Sequence, residues 1–521
     1  MKLEQLHVDI LYEIFKFLSV LDIDHIQRVS TTFNEFAGRH IVWRNAYRFT
    51  TLPRPSGPHP WQDRDTLKRV LIRSAKLEKN WPNLGVNASD VSTLHSTGGR
   101  ETRVYTPLST RKFTFPFGRP SALAAVGDRW IVVVTKSAIS CVDLESTEIP
   151  ADAPEDCAVD PIQLYQCAAD SELQFAFCLN STDKEGREVV YVVAEVERGV
   201  TEERAKAISI FKLRVPTETE REYRITTEFK SSVPVGKGTL LRAVLAHGLL
   251  LIHVVDVENL HRFWLVHVET NRLYQMTCAE KVDTSWLSLH LCSTHIMMIQ
   301  YRHDELFGAA GSECYIEAYP LPTLPDTAEC DDSNDIPEIQ LHLSHTGICP
   351  ASLMFSGPVL WECGNQRALN GHAGRVVLVA HRTLPQDPQV KCLAAADLLL
   401  EYSPQGVGTI TCTLHDIFTP PTDPDSDSQL VPQFFITAGG TESRGLIECS
   451  LDGGVRAVFG FTISFEPGPD DAMHISFCAG RLQLPQAPLP CFSVGFAGNT
   501  GRILRRHPMP RQDFIEIIDF A

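Results

Sequence analysis

From about residue 110 onward the chain is divided into short, continuously apolar, β-branched runs: WIVVV (130–134), VVYVV (189–193), LLLIHVV (249–255), IMMI (296–299) and VVLVA (376–380), each bounded by turn residues. A half-exposed strand alternates apolar and polar positions, whereas a run apolar at every position must be covered on both faces. No long amphipathic helix interrupts these runs to supply the covering, so sheet must cover sheet. A second kind of segment recurs among them: AISCVDL, AISIFKL, FWLVHVE, CYIEAYP, RVVLVAH, GLIECSL and GRILRRH. Positions at or next to their centres (141, 209, 266, 317, 378, 447 and 503) lie 51 to 69 apart.

That interval exceeds the roughly 40 to 50 residues of WD or kelch repeats, and longer connecting loops account for the excess. The predicted fold class is therefore mainly β, with a large all-β domain over 111–521 arranged as a β-propeller of six or seven blades. A pair of β-sandwiches whose strands recur regularly is the alternative. The WD signature itself is missing, because Gly371-His372 has no following Trp-Asp. FIEIIDF (514–520) is placed to close the ring by pairing near RKFTFPF (111–117).

The first eighty residues follow a different period. Leu6, Ile10, Leu11, Ile14, Phe15, Phe17, Leu18 and Leu21 fall at the three-and-four spacing of an amphipathic helix. Asp22 is a candidate cap for a second helix carried by Ile23, Ile26 and Val29, and Thr32 with Glu35 offers a capping box for a third. Three short helices are expected before Trp43, too few residues to close a core unaided. Residues 50–63 (TTLPRPSGPHPWQD) hold four prolines and read as a break. A further helix follows, with Leu67, Val70, Leu71, Ser74 and Ala75 on one face, stopped by Trp81-Pro82 and placed to bridge the two halves. The expected division is 1–48, a helical and proline-rich linker at 49–110, and 111–521.

Charge narrows the partners. The net charge is −17, yet residues 1–82 carry 13 Lys/Arg against 9 Asp/Glu, which leaves −21 on the remainder. So acidic a body would repel a phosphate backbone, and no nucleic-acid partner is expected. The 15 cysteines are odd in number, never closer than ten residues, and without CxxC or Cys/His zinc spacing. Reduced, mostly buried thiols follow. The opening MKLEQLHVDILYEIFKFL is too interrupted by charge for a signal peptide, and no apolar run reaches the roughly 20 residues that span a membrane. Cytoplasm or nucleus is the expected location, with no membrane partner.

The segment LHVDILYEIFKFLSVLDIDHIQRVSTTFNEFAGRHIVWRNAY resembles the F-box family, whose pattern runs Leu-Pro, an Ile/Leu-rich helix, Asp-Leu, Val-Ser, Phe, Ala and a closing Trp-Arg. Leu6, Ile10, Leu11, Ile14, Phe15 and Leu18 match the first helix, Asp22-Ile23 the middle, Val29-Ser30 and Phe33 the third helix, and Trp43-Arg44 the end. His7 departs from it, standing where the family usually has proline. The resemblance covers under a tenth of the chain. It implies docking on a Skp-family adaptor, and through it on a cullin scaffold, by Leu6, His7, Ile10, Leu11, Ile14, Leu18, Ile23, Val29 and Trp43. The β domain would then hold an unknown protein substrate, as the substrate receptor of an SCF-type E3 ubiquitin ligase. The alternative is a propeller scaffold unrelated to ubiquitin.

Motifs for chemistry are sparse. The sequence has no GxSxG, HExxH, complete phosphate loop or GxGxxG, so the chain is expected to be a non-catalytic subunit with no cofactor and no metal. Gly236-Lys237-Gly238-Thr239 reads as a tight turn between strands. His247, His253, His261 and His267 cluster in sequence without matching Cys or carboxylate spacing, and read as ordinary surface or core histidines. AECDDSNDIPE (328–338) and PPTDPDSDSQ (420–429) read as solvated loops, with Ser426 and Ser428 as candidate phosphate acceptors.

Overall fold

The computed structural model describes residues 6–50, 52, 54, 57–82, 104–114, 119–126, 129–144, 161–198, 205–216, 225–236, 238–258, 260–278, 286–301, 314–322, 336–349, 353–363, 372–384, 387–403, 406–419, 431–437, 442–451, 454–467, 473–485, 492–498, 500–507 and 514–521. Ser426, Ser428, the stretch 420–429 and most of 328–338 lie outside these.

Four helices, not three, precede the proline-rich break: α1 (Val8–Phe15), α2 (Val20–Ile26), α3 (Thr31–Ala37) and α4 (His40–Phe49). The caps are serines. Ser19 accepts from the Asp22 amide and starts α2, so Asp22 sits in the first turn, where its charge suits the helix dipole. Ser30 accepts from the Phe33 amide and starts α3, in place of the Thr32 box expected. The fifth helix, α5 (Arg64–Asn80), is capped by Asp63, whose carboxylate accepts from the Thr66 amide at 2.8 Å.

The core of the helical unit gathers Leu11, Phe15, Ile23, Phe33, Trp43 and Tyr47 against Leu67, Leu71 and Ala75 of α5. The missing wall that three helices could not supply thus comes from the chain itself. The far end of α5 belongs to another cluster, where Leu77 and Trp81 pack with Leu446, Val458, Ile503, Ile518 and Phe520. α5 is a strut shared by both cores rather than a linker.

The β domain opens with β1 (Val104–Tyr105) and β2 (Ser109–Thr114). Antiparallel meanders follow: β3 (Ala122–Val126), β4 (Trp130–Val134), β5 (Ala138–Asp143) and β6 (Ile162–Gln166), then β7 (Ser171–Thr182), β8 (Glu188–Arg198), β9 (Ala205–Arg214) and β10 (Thr226–Gly236). The next is β11 (Thr239–Ala246), β12 (Leu249–Val255), β13 (His261–His267) and β14 (Arg272–Cys278). After it come β15 (Trp286–Leu291), β16 (His295–Tyr301), β17 (Cys314–Pro320), β18 (Glu338–Leu341) and β19 (His345–Cys349). Then run β20 (Leu353–Cys363), β21 (His372–Leu384), β22 (Asp387–Ser403) and β23 (Gly406–Phe418). The last strands are β24 (Val431–Thr437), β25 (Glu442–Leu451), β26 (Gly454–Pro467), β27 (Met473–Leu482), β28 (Phe492–Ala497), β29 (Arg502–His507) and β30 (Phe514–Asp519).

The first strands of the meanders neighbour one another in a cycle, β3, β7, β11, β15, β20, β24, β28 and back to β3. The architecture is therefore propeller-like, with sheets set radially about one axis. Burial shows why the runs are apolar throughout. Val132 and Val134 pack against Val190 and Val192, while the alternate Ile131 and Val133 pack against Leu504, Ile515 and Ile517. Val189, Tyr191 and Val193 in turn face Leu250 and Ile252. Each sheet is covered by both neighbours.

Ring closure follows the expected route. β30 pairs antiparallel with β2 from Ser109–Asp519 to Thr114–Phe514, and on its other side with β29, so one sheet holds both ends of the β domain. The division differs from the six or seven blades expected. Among the described residues, five separate sheets of four or five strands stand beside one of eight, because β19 pairs in parallel with β23 and welds two meanders together. β1 and β18 add parallel strands to the edges at β27 and β14, which covers edges otherwise open to pairing. Between β10 and β11 the Gly238 amide donates to the Val235 carbonyl.

Candidate functional site

α1 carries two adjacent apolar stripes, and folding covers one of them. Leu11 and Phe15, one turn apart, enter the core with Tyr12 and Phe15 against the Phe36 ring. The neighbouring stripe stays open at Ile10, which is 49% exposed; Phe17 beyond the helix end is 88% exposed, and Val29 in the turn after α2 70%. Leu6, Ile14 and Leu18 are half-buried between the two. Val8, Ile41 and Phe49 are further exposed apolar side chains on the same unit. Exposed large apolar groups collected on one small unit are the usual mark of an interaction surface.

The residues expected to meet a partner therefore divide. Leu6, His7, Ile10, Ile14, Leu18 and Val29 are accessible in whole or part. Leu11, Ile23 and Trp43 are 3%, 1% and 0% exposed and pack in the internal core of the unit. The Trp43 indole donates to the Ala37 carbonyl at 2.8 Å, pinning α4 to the end of α3. His7 is the N-cap of α1, its ring accepting from the Asp9 amide, with φ −60° and ψ 145°. That φ is one a proline ring also imposes, so the backbone here would accept proline, while His7 adds a side-chain cap.

The helical unit is fixed to the propeller at two places. Trp81 is buried at the end of α5, its indole donating to the Phe461 carbonyl at 3.1 Å and stacking on Phe496. Gly460 and Gly480 make room, since a Cβ at either would strike Trp81 or Tyr105. Arg444, itself buried, pairs with Glu78 at 2.6 Å, and Arg73 reaches Asp519 at 3.8 Å. Burial opposes charge on Asp519, but Arg502, Arg73 and Arg111 around it hold its carboxyl below the usual range. At the second place the Trp61 indole donates to the Glu185 carbonyl in the β7–β8 turn.

The four sequence-adjacent histidines take different partners. His253 and His261 meet at 2.8 Å, and burial drives His253 down to about 3, so it is neutral at pH 7. His267 accepts from the Thr270 amide, and His247 pairs with Glu362 of β20 at 2.8 Å. Spacing gave no sign of a buried group that the fold assembles beside them: His290, also lowered to about 3 by burial, contacts Ser288, which accepts from Arg242 of β11. Among the described residues no group of three or more His, Cys, Asp or Glu could hold a metal ion.

Comparison with known proteins adds little beyond this geometry. No family model matches the sequence, and no curated protein does. The chain is similar in structure to the β-propeller domain of Nup133 from Vanderwaltozyma polyspora, at 8% identity, covering 81% of this chain and 98% of that one, with a TM-score of 0.30. It is also similar to the fission yeast SREBP-SCAP binding domains, at 11% identity over 71% of this chain and 80% of that one (TM-score 0.28). Puromycin hydrolase matches at 10% identity over 75% and 58% (TM-score 0.27). Likenesses this distant carry no argument about activity, and the architecture rests on the chain's own strand pairing. No helix among the described residues is long and apolar enough to cross a membrane.

Proposed function

We propose that this chain is the substrate-receptor subunit of an SCF-type ubiquitin ligase, taking a Skp-family adaptor and its cullin on the N-terminal helices and a protein substrate on the propeller. The observation that carries the reading is the exposure of three large apolar side chains, Ile10, Phe17 and Val29, within a segment that bears the F-box marks in order. A helix buries an apolar face wherever one is offered, and here the fold already fills the adjacent stripe of α1 and leaves these side chains outside it.

The role is positional, in the cytoplasm or nucleus and without a cofactor. A substrate held on the propeller is kept near a charged conjugating enzyme, which turns a bimolecular encounter into a nearly intramolecular one. No residue of this chain touches the reacting bond, so the chain is not itself an enzyme. Such a role needs the two ends held at a fixed distance, and α5, buried in both cores, supplies a stiff connection.

Co-expression with a Skp-family adaptor followed by gel filtration tests the reading. The intact chain is expected to co-elute with the adaptor, and Ile10→Asp with Ile14→Asp to abolish it. An intact chain that elutes alone overturns the proposal and leaves a propeller scaffold with its own helical partner.

A further inference from the structure

Cys314, Cys349 and Cys412 lie in one row across β17, β19 and β23. Cys314 is the antiparallel cross-strand partner of Cys349. On the other side β19 and β23 run parallel, His345 beside Gly408 and Thr346 beside Thr409. The same register carried three residues further sets Cys349 opposite Cys412. Adjacent strands run about 4.8 Å apart, within the Cα separation of about 4.4 to 6.8 Å that a disulfide spans. The Cys349 and Cys412 sulfurs are 2.7 Å apart, whereas the Cys314 thiol points to the Cys349 carbonyl at 3.9 Å. All three are free thiols, Cys314 and Cys349 buried and Cys412 partly exposed.

We propose that Cys349 and Cys412 are a cross-linking site, closed to a disulfide by a peroxide, that staples the two meanders of the eight-stranded sheet where they are welded. Cys412, the accessible member, reacts first: its thiolate attacks one peroxide oxygen, the O–O bond breaks, and the leaving hydroxide takes a proton to give water and a sulfenic acid. The Cys349 sulfur then attacks the Cys412 sulfur, the S–O bond breaks, and the departing hydroxide takes the Cys349 proton as a second water. Two thiols are oxidised and one peroxide is reduced. The thiols of Cys314 and Cys412 beside it, with burial, push the Cys349 thiol well up, so it keeps its proton until Cys412 has been activated.

The three cysteines belong to a different core cluster from the N-terminal helices, so the test is independent of adaptor binding. The full chain is treated with hydrogen peroxide, its remaining thiols are alkylated under denaturing conditions, and its proteolytic peptides are weighed. The expected result is a peptide pair joined through Cys349 and Cys412, released by dithiothreitol, lost in Cys412→Ser and kept in Cys314→Ser. Mapping on the unaltered chain stands alone if a variant fails to fold. Complete alkylation of both residues after peroxide, or linkage of Cys349 to Cys314, overturns the proposal.

Discussion

Ile10 and Leu11 are neighbours in sequence with opposite duties. Leu11 is enclosed by the helical core, so Leu11→Ala is expected to cost about 2 to 5 kcal/mol in that unit and to lower its melting transition. Ile10→Asp changes a side chain already half in water, and the same scan should find the transition within error of the parent. A second residue-scale prediction concerns His247 and Glu362. The hydrogen bond to Glu362 raises His247 above its ordinary 6.5 against the opposing effect of burial. Burial alone would raise Glu362, but His247 and the Ser293 amide outweigh it and lower it below 4.5. A raised histidine stabilises fully below its unfolded value and loses that contribution as pH rises through the folded one. A lowered carboxyl stabilises above its unfolded value and loses it as pH falls through the folded one. The pair therefore supports the fold in the window above pH 4.5 and up through the raised histidine value. Thermal scans against pH should show the gap between the parent and His247→Gln closing at alkaline pH, and a gap that persists there would rule the pair out.

At the scale of elements, α5 is the piece on which the arrangement turns. Trp81→Ala removes a fully buried ring that bonds Phe461 and stacks on Phe496. The cost expected is about 3 to 5 kcal/mol, and limited proteolysis should then separate the helices from the propeller faster than in the parent. The helical period of α5 was legible because one face is apolar over its full length, yet the sequence could not say that the face is shared between two cores. α4 escaped notice for a different reason: Arg39 precedes it without a side-chain cap, so nothing in the residues marks its start. Ser19 and Ser30 were passed over as caps because Asp22 and Thr32 nearby are equally good candidates by type, and only backbone geometry selects between them.

For the whole molecule, closure through β2 and β30 makes a ring whose last strand is held on both sides. Deletion of residues 510–521 uncovers Leu504 and Phe113, which pack against Ile515 and Ile517. A broad, lowered melting transition is expected, and an unchanged one would sink the closure account. The radial stacking of sheets was readable because burial on both faces leaves a run without polar gaps. The weld of β19 to β23 and the edge strands β1 and β18 were not, since parallel pairs between distant segments leave no local pattern. The candidate surface was legible only as a set: the F-box resemblance placed Leu11, Ile23 and Trp43 with Ile10 and Val29, and folding alone separated those that fill the core from those that remain outside it.

Amide hydrogen exchange on the full chain with and without a Skp-family adaptor tests the central claim most directly, because it reports where a partner sits as well as whether it binds. The account predicts added protection in α1 and in the turn that holds Val29, with the propeller unchanged. No protection anywhere, or protection confined to the propeller, would contradict it.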